Sequence, residues 1–326
     1  MQLEIDTGED NDSLFSEEGS TRSASIASSV LNYTYENGRR YHAYRKGAYL
    51  LPNDEEEQDR LDLMHHIYRL CLDGKLHLAP LKPDVQRVLD IGTGTGIWAI
   101  DFADEYTSAE VIGNDLSPTQ PSWVPPNLKF YIDDIEAEWT YSPSEAFDYI
   151  HVRGMGGSIL DWNKLYQQSF KNLKPGGWLE LHEPEAMFRG DDGTEKAAES
   201  VQQWQGLINQ AARKFGKELD RAPLHKQRLI DAGFIDVHEE IFKVPVGPWA
   251  KDPKYKLIGR YQREHAVAGI EPYTLGFIVK ILGWSQEEAQ IMIANVLNEL
   301  KDRRLHLYVP FYYVYGRKPE SKSEPA

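Results

Sequence analysis

A single cysteine, Cys71, leaves no intrachain disulfide to form and no cysteine-rich zinc site to build, so a reducing, intracellular setting is expected. Long apolar runs are missing too. None approaches the ~18 residues a membrane span needs, and the opening MQLEIDTGED is acidic where a secretory leader is basic and then apolar. Positive charge is in short supply: 36 Lys and Arg face 51 Asp and Glu, a net charge of −15. Such a chain does not grip nucleic acid, which needs clustered cations against phosphate. Residues 1–30 contribute seven acids, seven serines and one arginine, but few large apolar side chains. They cannot bury enough surface to offset their ordering entropy and are expected to be a disordered acidic tail. Residues 318–326 are read as a second frayed tail.

What is present is an ordinary globular core, 41% apolar, in a chain of 326 residues, enough for one large domain with insertions. Short apolar runs alternate with helical patterns. Strands are expected at 85–91, 110–115, 128–133, 147–152 and 178–182, with helices at 96–106 and 163–173. The second helix should stop at the breaker cluster Lys174-Pro175-Gly176-Gly177. This alternation predicts a doubly wound α/β domain with a mostly parallel sheet. Upstream, Asn53 or Asp54 can cap a helix with Glu56 or Glu57 three residues on. Its stripe Leu61, Met64, Tyr68, Cys71 should dock on the sheet, with Cys71 in the core and not a nucleophile. Residues 31–84 are thus an arm and helix leading into a domain at 85–317.

The most informative segment is VLDIGTGTGIW at 88–98. A buried strand runs into a loop carrying Gly92, Gly94 and Gly96, then into a helix whose N-terminus favours an anionic group. A phosphate-binding loop needs a Gly-Lys-Ser/Thr ending, which is absent. A dinucleotide fingerprint needs a small residue three positions after Gly94, where Ile97 stands. S-adenosylmethionine carries no phosphate and tolerates the Gly-x-Gly-x-Gly loop preceded by an acid, here Asp90. A purely structural turn is the remaining reading, but the acids that follow argue against it. Asp115 ends the second strand, where a carboxylate can accept both ribose hydroxyls. Asp134 is favoured over Asp133 for the adenine amino group, with the backbone N–H of Ile135 available to a ring nitrogen. Thr93 completes the loop. A nicotinamide-dependent oxidoreductase is disfavoured by Ile97. No metal is required, because a sulfonium methyl is already activated.

These pieces resemble the class I S-adenosylmethionine-dependent methyltransferases. More narrowly, the chain is similar to the LaeA-like fungal methyltransferases through ENGRRYHAYRKGAYLLP at 36–52, EQDRLD at 57–62 and VLDIGTGTGIW. Further matches are NDLSP at 114–118, IDDIE at 132–136, DYIHVR at 148–153 and LKPGGW at 173–178. The resemblance implies a Rossmann-like seven-stranded sheet with helices on both faces, and bound S-adenosyl-L-methionine. It leaves the methyl acceptor open. Some members are nuclear regulators of secondary metabolism that associate with velvet proteins, and others belong to biosynthetic clusters.

If the acceptor is a hydroxyl or an ammonium, a general base helps, and His151 and His182 are the candidates. Arg153 is expected to position substrate or to pair with an acid. Tyr41, in the leading segment, is expected to cover the cofactor. A sixth strand at 235–244 and a seventh at 306–315 enclose an insertion, 245–305, read as helices at 255–268, 274–282 and 286–303. The insertion is expected to form a lid over the acceptor, with Trp249 and Tyr261 contacting substrate. A peripheral helical pair is the plainer alternative. The expected function is methylation of a small secondary metabolite in a fungal pathway, in the cytoplasm. The alternative is a nuclear regulator that meets a protein partner through the N-terminal tail.

Overall fold

The computed structural model describes residues 33–320 except Asn37, Ala43 and Lys46, so the tail expected at 1–30 and most of that at 318–326 lie outside the described residues. The described chain opens with a short antiparallel hairpin, β1 (Thr34–Glu36) and β2 (Arg39–Tyr41), that sequence reasoning did not anticipate. Arg39 forks onto the carboxylate of Asp54 at 2.6 and 2.8 Å. Asp54, not Asn53, caps α1 (Glu55–Cys71) by accepting from the Glu57 N–H at 3.1 Å. The hairpin is therefore tied to the start of the first helix. Cys71 ends that helix inside the core, and burial pushes its thiol up to about 12, so it stays protonated and inert.

Alternation then proceeds as the apolar runs dictate: β3 (Arg87–Ile91), α2 (Ile97–Glu105), β4 (Glu110–Asp115), β5 (Leu128–Ile132), β6 (Phe147–Arg153), α3 (Trp162–Asn172) and β7 (Leu173–Pro184). α3 stops at Asn172, just before the breaker cluster, as expected. β7 runs through it, and the register jumps from Phe147 opposite Leu173 to Tyr149 opposite Trp178, so the cluster is absorbed as a bulge. Two helices that the sequence reading had not placed follow, α4 (Glu199–Phe215) and α5 (His225–Asp231), before β8 (Ile235–Pro245). The insertion is α6 (Pro253–Tyr273), which continues directly into a π-helical stretch (Thr274–Leu282), and α7 (Gln286–Lys301). Ser285 caps α7, and Glu288 reaches back in the expected capping box. The last strand is β9 (Tyr308–Arg317). Lys318, where a frayed tail was expected to begin, still donates its N–H to Gly177 at 2.8 Å.

The seven strands are ordered β5-β4-β3-β6-β7-β9-β8, parallel from β5 to β7, with β9 antiparallel to both its neighbours. Chain direction across the sheet reverses beside β3, so the crevice at the carboxyl ends of β3 and β6 is the natural ligand site. The insertion is no loose appendage. Ile258, Ile270, Phe277, Met292 and Val296 share one apolar core with Ile67 and Tyr68 of α1 and Phe311 and Tyr313 of β9.

Candidate functional site

A cavity of about 210 Å³ opens at the carboxyl ends of the parallel strands. Its floor is the glycine loop. Gly92, Gly94 and Gly96 all have positive φ, at 65°, 59° and 82°. Each glycine has its own reason. A Cβ on Gly92 would lie 2.1 Å from Met155 Sδ, and one on Gly96 would lie 2.4 Å from the Phe130 ring. A Cβ on Gly94 would meet only Leu61 Cδ1, at 3.6 Å, so this glycine keeps its face bare for something else. The loop is firmly held. Thr93 Oγ1 donates to Asp90 at 2.5 Å, Thr95 Oγ1 donates to Asp62 at 2.6 Å, and the Gly94 carbonyl accepts from Thr119 and Gln120.

The expected acids come together here. Asp90, Asp115, Asp133 and Asp134 line the cavity with Thr93 and Ile135. Asp115 accepts from the backbone N–H of Gly94 and of Ser117, both at 2.9 Å, so the end of β4 locks the glycine loop. Burial pushes Asp115 up to about 6, against the lowering effect of those two N–H groups. Burial likewise brings Asp90 to about 6. Asp134 is committed on both oxygens, to the Glu136 N–H at 3.0 Å and to Arg45 at 3.2 Å, whereas among the described residues Asp133 takes only the Asp134 N–H. Asn114, which the sequence reading did not single out, also lines the cavity. It is 2% exposed, and neither polar atom of its amide has a hydrogen-bond partner.

Other expected residues lie elsewhere. His151 and His182 are each 1% exposed and neither lines the cavity. His151 Nδ1 is 2.7 Å from Asp90, and its ring stacks on Trp98 with centroids 3.7 Å apart. His182 Nε2 is 2.6 Å from Glu180, which also accepts the Leu78 and Ala79 N–H groups and the Tyr149 hydroxyl. Those partners outweigh desolvation and hold Glu180 down to about 2. Tyr41 is also off the cavity, buried with the Lys280 ammonium 3.9 Å above its ring; from the same arm it is Tyr49 that lines the site. Trp249 and Tyr261 line a separate cleft on the insertion.

Arg153 is where it was expected, on the cavity wall. Among the described residues it pairs with no acid. Its guanidinium donates to His65 Nδ1 at 2.9 Å and lies 5.0 Å above the Tyr68 ring. Desolvation lowers its pKa. The insertion reaches the cavity through His265 and Tyr273 instead of the two residues expected. His265 Nε2 accepts from Arg60 at 2.5 Å, and Arg60 forks onto Glu57 at 2.5 and 2.8 Å. Burial holds His265 well below its ordinary pKa. With its Nε2 lone pair occupied, this neutral ring carries its hydrogen on Nδ1.

A glycine loop leading from strand to helix, acids closing the next two strands, and an antiparallel strand slotted into a parallel sheet define a class I methyltransferase that uses S-adenosylmethionine. Residues 63–238 match the family model described as a methyltransferase domain. Among curated proteins, the chain is 42% identical over 296 residues to methyltransferase pytC of Aspergillus terreus, covering 90% of this chain and 91% of that one. It is 38% identical to secondary metabolism regulator LAE1 of Cochliobolus heterostrophus, covering 87% and 94%. It is 36% identical to probable methyltransferase tdiE of Emericella nidulans, covering 90% and 92%. The chain belongs to the LaeA-like branch of the S-adenosylmethionine-dependent methyltransferases. No helix among the described residues is long and apolar enough to cross a membrane.

Proposed function

We propose that the cavity holds S-adenosylmethionine and that the chain methylates a small, largely apolar metabolite. The observation that carries the reading is the carboxylate of Asp115 fixed against the bare Gly94 at the cavity floor. The donor set suits the cofactor. Asp115 keeps lone pairs for ribose hydroxyls, Asp133 or Asp134 with the Ile135 N–H suits the adenine edge, and the unpartnered Asn114 amide suits a polar ligand. Asp90, Gly92, Thr93 and Gly96 shape the loop beneath it. When bound, the cofactor supplies an activated methyl group.

The chain's own task is to align an acceptor and to exclude water. Tyr49, Leu61, Met64, Met155 and Tyr273 give the rest of the cavity an apolar wall, and Arg153 supplies a cation beside Arg60, which is paired with Glu57. His151 and His182 keep a supporting role in this reading. They fix Asp90 and Glu180 and touch no acceptor. His265 is not a base in this reading, since its remaining nitrogen carries the hydrogen and is buried. The similarity to methyltransferase pytC and probable methyltransferase tdiE favours an enzyme; in this reading it tailors a metabolite in the cytoplasm.

A second reading, a regulator working with a protein partner in the nucleus, is favoured by the similarity to LAE1. The two are separated by comparing the metabolites of a deletion strain with its parent. Loss of one methylated product, regenerated by the purified protein from its unmethylated precursor, supports tailoring. Loss of many unrelated metabolites, none of whose precursors the protein methylates, supports regulation.

A further inference from the structure

The cleft that takes Trp249 and Tyr261 away from the cavity has a chemistry of its own. It lies between α6, the C-terminal end of α7 and the segment after β8, and five cations line it: Lys256, Arg260, Arg263, Lys301 and Arg303. Its two carboxylates are already engaged, Glu264 with Arg263 at 3.1 Å and Asp302 with Arg304 at 2.7 Å. The side chains of Lys256, Arg260, Lys301 and Arg303 have no ion pair or hydrogen bond among the described residues. Four unneutralised cations around one concavity are out of keeping with a chain of net charge −15, whose other cations mostly sit beside acids. Apolar surface is available between them: Trp249 is 37% exposed, although its indole N–H is held by the Leu307 carbonyl at 2.9 Å.

We propose that this cleft docks an extended acidic segment of a partner protein, carrying one aromatic or aliphatic anchor. The spacing favours a peptide in strand form. Lys256 and Arg260 are one turn apart on α6, about 6 Å along its axis. An extended chain places side chains of the same face roughly 6.6 Å apart. Acids at alternate positions would therefore meet successive cations of α6, with Lys301 and Arg303 on the opposite wall and the anchor against Trp249. Electrostatic complementarity of this kind sets partner choice and association rate. Nucleic acid fits less well, because its backbone needs a continuous basic track and the rest of the chain is acidic.

The test uses the full chain and a short fluorescein-labelled peptide of alternating Glu and Ser around one central Phe, followed by anisotropy. Binding is expected, weakening as salt is raised, with none for the same peptide bearing Lys in place of Glu. Reversing both Arg260→Glu and Lys301→Glu should weaken it by roughly tenfold or more. Both side chains are exposed, so the fold is retained, and S-adenosylhomocysteine affinity measured by calorimetry should not change. Peptide binding that survives the double reversal overturns the proposal. So does tighter binding of a single-stranded oligonucleotide at the same residues. If the chain lacking residues 1–30 bound the peptide roughly tenfold more tightly than the full chain, the occupant would be the chain's own acidic segment, and the partner assignment would fall.

Discussion

Replacing Asp115 by asparagine is the sharpest test of the cofactor site. The change keeps the size of the side chain and leaves one carbonyl oxygen. That oxygen can serve either the Gly94 N–H or the Ser117 N–H, each now 2.9 Å from its own carboxylate oxygen, but not both. The amide NH2 then faces a donor, and the charge that would meet the ribose hydroxyls is gone. A hydrogen bond to a charged group contributes about 1.5–3 kcal/mol, so the dissociation constant for S-adenosylhomocysteine should rise roughly 10- to 150-fold. A pH series gives an independent check. Burial places Asp115 at about 6, so the carboxylate that the ligand needs is lost as pH falls through that value. Wild-type affinity should drop roughly tenfold between pH 8 and pH 5, since about one molecule in ten is then ionised. Asp115→Asn has no such group, and its curve should be flatter by that factor. Asp90, which titrates in the same range, is common to both proteins and cancels in the comparison. Calorimetry on protein with an unchanged far-ultraviolet spectrum is the assay. Wild-type affinity in Asp115→Asn, or an undiminished pH dependence, would refute the assignment of ribose to this carboxylate.

Gly94→Val has room, the nearest atom to an added Cβ being Leu61 Cδ1 at 3.6 Å, but its φ of 59° strains a β-branched residue, so it should lose about 1–3 kcal/mol of stability and bind no S-adenosylhomocysteine; Gly96→Val, strained in the same way and also driven into Phe130, should lose more. Thermal melts with ligand titration distinguish the two outcomes. His182→Ala removes one of the four donors to Glu180 among the described residues; Glu180 is 0% exposed, and leaving that lone pair unsatisfied costs about 1–3 kcal/mol. A variant with full stability and no turnover would restore His182 as a base. Asp90→Asn should stabilise the ligand-free protein at pH 8. The folded pKa of about 6 lies above the ordinary aspartate value of 3.8, so stability is complete below about pH 4 and lost as pH rises through 6. That difference corresponds to at most about 3 kcal/mol. The melting-temperature gain should vanish at pH 4, and a gain that persisted there would contradict the sign.

The parts of the site that lie within one strand-loop-helix unit could be read directly. Asp90, the three glycines and Ile97 are neighbours in sequence, and Asp115 and Asp134 follow from where the next two strands must end. What could not be read depends on how distant helices cross. Arg60 and His265 are 205 positions apart and meet only because α6 packs on α1. Tyr261 and His265 are one turn apart on α6, and nothing in composition says that the histidine reaches the cavity while the tyrosine turns to the outer cleft. Glu57 and Arg60 did leave a trace, as charged residues within the helix that docks on the core. His151 and His182 misled for a different reason. A strand end near a ligand edge exposes one side chain and buries the next, and alternation alone does not say which. The helix Glu199–Phe215 has its own signal in Val201, Trp204, Ile208 and Ala211, all buried at helical spacing.

Because β9 lies between β7 and β8, the sheet has a gap until residues 308–317 arrive. β8 leaves the ribosome well before them, with no strand to pair with. At about 5–20 residues per second, the delay is roughly 4–14 s. Through that interval β7 presents a row of unpaired backbone groups, and Leu179 and Leu181, fully buried in the finished protein, lack part of their cover. Closing a loop of about sixty residues costs roughly 2.4 kcal/mol more than a four-residue hairpin, so β9 does not find its slot by local pairing. The insertion must fold first and bring Tyr308 back to Pro245. Substitutions that weaken α6 or α7 should therefore appear first as aggregation during synthesis, even where the finished enzyme would tolerate them.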